Sequence, residues 1–185
     1  MQSGKRRGKR NWAPFMTEPA LQPLWKPGQG GALCPLQRAS ECVVRGRCYR
    51  CVEAVVDSGA EETVAPRGVF PGQHRASAMS KAGACYRTAS GSPIPNLGEQ
   101  DVQFLTNEGY AGEIPFQLAD IERPLIAVSA LAKAGNAVEL NHDGGKITHQ
   151  VTGKVTSIER RGGTYVIRMW VPADAAAPFQ RQGAW

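Results

Sequence analysis

The stretch Ala54-Val55-Val56-Asp57-Ser58-Gly59-Ala60-Glu61-Glu62-Thr63-Val64 decides how the rest of the chain is read. An apolar run that ends on an acid predicts a strand delivering one carboxylate to the mouth of a sheet. The glycine two residues later lets the backbone turn sharply and leaves room beside the acid for another backbone or a ligand. The Ser58 hydroxyl can bond to neighbouring main chain and fix the loop. At average composition a bare Asp-(Ser/Thr)-Gly falls in roughly one chain of this length in ten, usually as a turn. The apolar run before it and Ala-Glu-Glu-Thr after it cut that chance to about one in a hundred. A strand followed by a type I or Asx turn uses the same residues, so the choice rests on the remainder of the chain.

A chain of 185 residues suits one domain with tails, or one domain and a small appendage. Its hydrophobic content of 42% is enough for a core, and no apolar run reaches the length of a membrane span. The start, Met1-Gln2-Ser3-Gly4-Lys5-Arg6-Arg7, is not followed by an apolar segment and does not read as a secretory signal. Five cysteines, irregularly spaced, do not read as a disulfide framework. An intracellular setting, cytoplasmic or nuclear, is the expectation.

Charge is uneven. Residues 1–37 hold Lys5, Arg6, Arg7, Lys9, Arg10 and Lys26 against Glu18, a balance of +5 in a chain of +6. The remainder is nearly neutral, so basicity belongs to the leader and not to a face of the folded part. With five prolines and the Gly28-Gln29-Gly30-Gly31 run, this segment reads as a disordered tail. It is suited to weak nucleic-acid contact, or to no partner at all.

From Ser40 the pattern changes to short apolar runs broken by turn residues. Cys42 to Val44 and Cys48 to Val56 predict a hairpin whose second strand runs into Asp57. Cys34, Cys42, Cys48 and Cys51 have a spacing that admits a zinc site, but a strand pattern runs through them and small apolar packing suits them better. Residues 73–85 carry no assignable pattern. Cys85 to Ala89 and Pro93-Ile94-Pro95 predict two strands joined at a flexible tip, Ser90-Gly91-Ser92. Further strands are expected from Gln100 to Leu105 and from Gly112 to Leu118. Pro124 to Asn136 predicts a buried strand leading into a short helix, with Ser129 as N-cap and Gly135 as a left-handed stop. Two hairpins come next, turning at His142-Asp143-Gly144-Gly145 and at Arg160-Arg161-Gly162-Gly163. His142 and His149 lack a third metal ligand and read as surface residues. The Ala- and Pro-rich end from Pro172 reads as a second tail.

Asp57-Ser58-Gly59-Ala60-Glu61-Glu62-Thr63 resembles the active-site sequence of retroviral-type aspartic proteases, Asp-(Thr/Ser)-Gly-Ala-acid-acid-Thr. Leu125-Ile126-Ala127 and the helix after it resemble the second signature of that family. The segment is still more similar to the Leu-Ser-Val-x-x-Leu-x-x-x-Gly run of copia-type retrotransposon proteases. Two positions depart from the pattern. Ala127 stands where many members have glycine, and Val128 replaces the arginine that in viral members ties this segment to the acid after the active-site loop. The resemblance covers about residues 40–171, including the closing meander.

It implies a mostly β, retropepsin-like closed barrel with one short C-terminal helix, followed by a β-meander. The divisions are a basic tail at 1–37, the protease domain at 38–140, a hairpin extension at 141–171 and a tail at 172–185. It implies an aspartic endopeptidase that processes polyprotein, without cofactor or metal, in which Asp57, Ser58 and Gly59 form the catalytic loop. Ala60, Glu61 and Glu62, with Ser90, Gly91 and Ser92 on a closing flap, would hold the peptide. The chemistry needs two carboxylates sharing one proton, one activating water and the other protonating the scissile carbonyl. The chain has one such motif, so the active form would be a two-fold homodimer with Ser58 bracing the paired loops. Two other classes fit the same residues: a catalytically silent dimerisation or peptide-binding module, and a nucleic-acid-binding protein working through the basic tail. The nearly neutral folded part, with no basic-aromatic stripe, weighs against the second.

Overall fold

The computed structural model describes residues 41–44, 46–88 and 91–174. The two tails up to residue 40 and from residue 175, together with Cys34 and Ser90, lie outside the described residues. The fold is mostly β. Its strands in chain order are β1 (Glu41–Val44), β2 (Arg47–Asp57), β3 (Val64–Ala65), β4 (Cys85–Arg87), β5 (Pro93–Pro95), β6 (Gly98–Leu105) and β7 (Ala111–Leu118). They continue as β8 (Leu125–Ala127), β9 (Asn136–Asn141), β10 (Gly144–His149), β11 (Val155–Arg161) and β12 (Thr164–Pro172). Among the described residues two short helices interrupt them: α1 (Ala78–Lys81) and α2 (Val128–Lys133).

One helix was expected; α1 is the second, in the stretch that carried no pattern. Ser77 is its N-cap, accepting a hydrogen bond from Ser80 N at 2.9 Å, and four residues are too few for an apolar periodicity to register. The cap expected of Ser129 is also corrected. The N-cap of α2 is instead Ala127, two residues earlier, which has no capping side chain, while Gly135 takes the left-handed φ of +81° expected of the stop.

Ten strands share one sheet in the order β1-β2-β8-β3-β7-β6-β12-β11-β10-β9, and β2 also pairs with β12. The ladder therefore returns on itself, from β2 through β8, β3, β7 and β6 to β12 and back to β2. The β2–β12 ladder is antiparallel over seven registered pairs, from Val166 opposite Val55 to Pro172 opposite Tyr49. Strand β12 thus belongs to the same sheet as Asp57, although it comes from the closing meander. Pro172 and Ala173, expected in the second tail, prolong it: Pro172 is buried and Ala173 N donates to Cys48 O at 2.9 Å.

Alternation on β2 sends Val52, Ala54 and Val56 inward, where they meet Phe116, Ile126, Ile167 and Met169. The Phe70 and Phe116 rings pack 4.8 Å apart, tilted by 43°. Burying each of the larger of these side chains contributes about 1.5–3 kcal/mol, so the strand carrying the acid is fixed by the densest part of the molecule.

Candidate active site

Asp57 is the last residue of β2, half-buried, at the point where the strand leaves the core. Beyond it the chain makes an excursion around another strand. On one side β8 runs parallel to β2, with Val55, Val56 and Asp57 opposite Leu125, Ile126 and Ala127. On its other side lies β3, antiparallel, with Val64 opposite Leu125. The chain therefore leaves β2 at Asp57, crosses the end of β8 through residues 58–63, and returns along its far flank.

The excursion is pinned at both feet. Gly59 N donates to Asp57 Oδ1 at 2.7 Å, the local acid-to-backbone bond that sets the turn. A Cβ on Gly59 would stand 3.3 Å from that same oxygen, a tight approach that would push the carboxylate by a few tenths of an ångström. At the other foot, buried Thr63 uses its Oγ1 to accept a hydrogen bond from Ala127 N at 3.2 Å. Its carbonyl accepts one from Gln117 N at 2.9 Å, on β7. Ala127 has φ −68° and ψ 126°, ordinary extended backbone that alanine adopts without strain.

The carboxylate faces outward. Ser58, Gly59, Glu61 and Glu62 are exposed and Ala60 is half-buried. Neither Glu61 nor Glu62 forms an ion pair among the described residues. Two concavities of about 320 and 360 Å³ stand elsewhere, one at the turns around His142 and Arg160, the other between Arg67, Leu97 and Asp120. Neither touches Asp57. Asp57 itself is half-buried, with the exposed Ser58 and Gly59 directly after it.

Gly91 and Ser92 sit at the tip of the β4–β5 hairpin, which forms a two-stranded sheet of its own, with Tyr86 opposite Ile94. The tip is closed by Thr88 N donating to Ser92 O at 3.0 Å and Gly91 N donating to Thr88 O at 2.8 Å. The Tyr86 phenol is pushed above its ordinary pKa chiefly by burial and further by the charge of Glu62, against a lowering hydrogen bond from Asn96.

Among the described residues no group of three or more His, Cys, Asp or Glu is placed to hold a metal ion. Cys51 is instead a half-buried thiol whose pKa is raised to about 11, first by burial and then by Glu53. His142 is exposed beside Asp143, while His149 is buried, its Nδ1 2.8 Å from Thr152 Oγ1; it is a core residue and not the surface one expected. No helix among the described residues is long and apolar enough to cross a membrane.

Sequence reading assigns Thr63 no role, though it stands six residues after Asp57 in the same motif. Asn96 and Gln117, which tie the hairpin to the frame, belong to no motif. Set against protein-family models, curated proteins and solved structures, the chain finds no match.

Proposed function

We propose that this protein is an aspartic endopeptidase of retroelement type, active as a homodimer in which each chain contributes one Asp57. The observation that carries the reading is the path of the acid loop around β8. It holds a single carboxylate at a strand end, braced by Thr63 on one foot and Gly59 on the other. An aspartate that acts as a general base needs a fixed pose more than it needs a pocket of its own. The cycle of pairings from β2 to β12 supports the retropepsin-like closed barrel. The exposure of Ser58, Gly59, Glu61 and Glu62 beside the half-buried Asp57 supports a site that a second copy completes. Brought together across a two-fold axis, two such carboxylates would share one proton and titrate in two steps belonging to the pair. Water held between them would attack the peptide carbonyl while the protonated partner donates to its oxygen. The separate β4–β5 hairpin is the flap of this reading, with Gly91 and Ser92 at its tip, and Glu61 and Glu62 flank the bound peptide.

The test is a peptide-library cleavage assay between pH 4 and 7, with Asp57→Asn beside the parent and the oligomeric state measured by sedimentation. Cleavage by a dimer, lost by at least a thousand-fold in Asp57→Asn, is the expected result; a loss of that size corresponds to about 4 kcal/mol of transition-state stabilisation. A stable dimer without cleavage would leave a peptide-binding module. A monomer without cleavage would refute both.

A further inference from the structure

The base of the β4–β5 hairpin contains a buried amide whose hydrogen-bonding capacity is fully used. Asn96 Oδ1 accepts from Gly98 N at 2.9 Å and from Ser77 Oγ at 3.2 Å. Its Nδ2 donates to Tyr86 Oη at 2.7 Å and to Gln117 Oε1 at 2.9 Å. The main-chain N–H of Gly98 can only donate, so it fixes which end of the amide is oxygen; both hydrogens of Nδ2 are then committed to Tyr86 and Gln117. The Asn96 main chain adds a bond from its N–H to Ala84 O at 2.9 Å.

These partners come from four places. Tyr86 lies on the first strand of the hairpin, Ser77 caps α1, Gly98 opens β6 and Gln117 lies on β7. Gln117 in turn donates its main-chain N–H to Thr63 O, the inner foot of the acid loop. The hairpin is thus joined to the loop carrying Asp57 through two side chains and one main-chain bond. Apolar packing does not do this work: residues 85–95 contribute nothing to the core cluster. A polar junction of this kind holds one geometry when every partner is present, and loses it when one is removed.

We propose that Asn96 is the latch of the β4–β5 hairpin, a positioning residue that fixes the hairpin to the frame through Tyr86 and Gln117, the latter bonded in turn to the acid loop at Thr63. The inference rests on the proposed function only in taking the hairpin for a substrate-closing flap; the latch itself stands on the bonds. Releasing Tyr86 leaves the frame intact and frees the hairpin to open, so ordering it again would draw on the binding free energy of a peptide.

The experiment compares the full chain with Tyr86→Phe and Asn96→Ala by amide hydrogen exchange, and then by cleavage kinetics. In Tyr86→Phe the amides of residues 85–96 should exchange about five-fold faster, the effect of one ordinary hydrogen bond, while those of β2 and β12 stay as in the parent. In an active parent, KM should rise by a similar factor with kcat little changed. Faster hairpin exchange in a chain that cleaves nothing would uphold the latch and count against the protease reading alone. Unchanged exchange at 85–96 in Tyr86→Phe would overturn the latch. So would exchange accelerated equally over the whole chain, since Asn96 would then be an ordinary core residue. Should Asn96→Ala fail to fold, Tyr86→Phe, which deletes only a hydroxyl, carries the test.

Discussion

Two hairpins of this molecule are built on opposite principles. The β9–β10 hairpin has six registered pairs, is continued by β11, and sends Ile147 into the core with Val138 packed against it. The β4–β5 hairpin has three pairs, no further strand beside it, and side chains that alternate only between exposed and half-buried. One is held by apolar burial shared with the whole sheet; the other is held at its base by one amide. Apolar burial of that kind is lost only when the domain unfolds, whereas a local polar latch can open by itself. The flap of the proposed reading would belong to the second kind, with Gly91 and Ser92 at its tip.

The largest effect expected from this contrast is at Ile147. Ile147→Ala empties a buried site and should cost about 2–5 kcal/mol of global stability, read from the shift of the urea midpoint. Amide exchange should accelerate throughout the sheet, including β2 and β12. Exchange confined to residues 136–149 would mean that β9–β10 opens as a separate unit, and the contrast between the hairpins would fail.

Thr63 lies where the two regimes meet, bonded to β8 through its hydroxyl and to β7 through its carbonyl. Thr63→Val keeps the shape but leaves the buried Ala127 N–H without an acceptor, which should cost about 1–3 kcal/mol. Thr63→Ser restores the acceptor and should recover most of that loss. If Asp57 depends on this foot for its pose, Thr63→Val lowers kcat while Thr63→Ser does not. Equal kcat in both variants would show the loop to be held by Gly59 and its neighbours alone.

The strands were legible because their signals are local. Alternation on β2, the turn residues His142-Asp143 and Gly162-Gly163, and the apolar run Leu125-Ile126 each sit within a few residues, and each element forms where they indicate, although Gly144 and Gly145, expected in the first turn, already belong to β10. The Asp57 motif was legible for the same reason. The crossing of the acid loop over β8 was not, because it joins Thr63 to Ala127 across 64 residues. Neither was the pairing of β12 with β2, which closes the longest loop in the fold and leaves no mark in either strand. Asn96 was the least visible of all. It stands between a Pro-Ile-Pro run and a leucine, where asparagine is an ordinary turn residue, and its partners at 77, 86, 98 and 117 are chosen by the packing of four elements. Helix α1 escaped for want of length, and Ser129, whose hydroxyl suggests a cap, lies inside α2 because the strand-to-helix transition falls two residues earlier, at Ala127.

The smallest expected effect tests whether the hairpin stands beside the acid loop in solution. Tyr86 ionises above its ordinary value of 10.0, chiefly because of burial and in part because Glu62 opposes a second negative charge. Glu62→Gln removes that opposition, so the Tyr86 midpoint should move down, toward 10.0, in a titration followed through the Tyr86 ring resonances. Glu113→Gln, on the exposed side of β7 and absent from the causes of the shift, should leave it unmoved. The consequence for stability has a definite sign. A tyrosine with a raised native pKa stabilises the fold fully below pH 10.0, and that contribution is lost as pH rises through the native midpoint. Glu62→Gln narrows the window and so reduces the alkaline loss. A Tyr86 midpoint that ignores Glu62→Gln would put the hairpin away from the acid loop, and with it the flap, while leaving the bonds of Asn96 to the frame untouched.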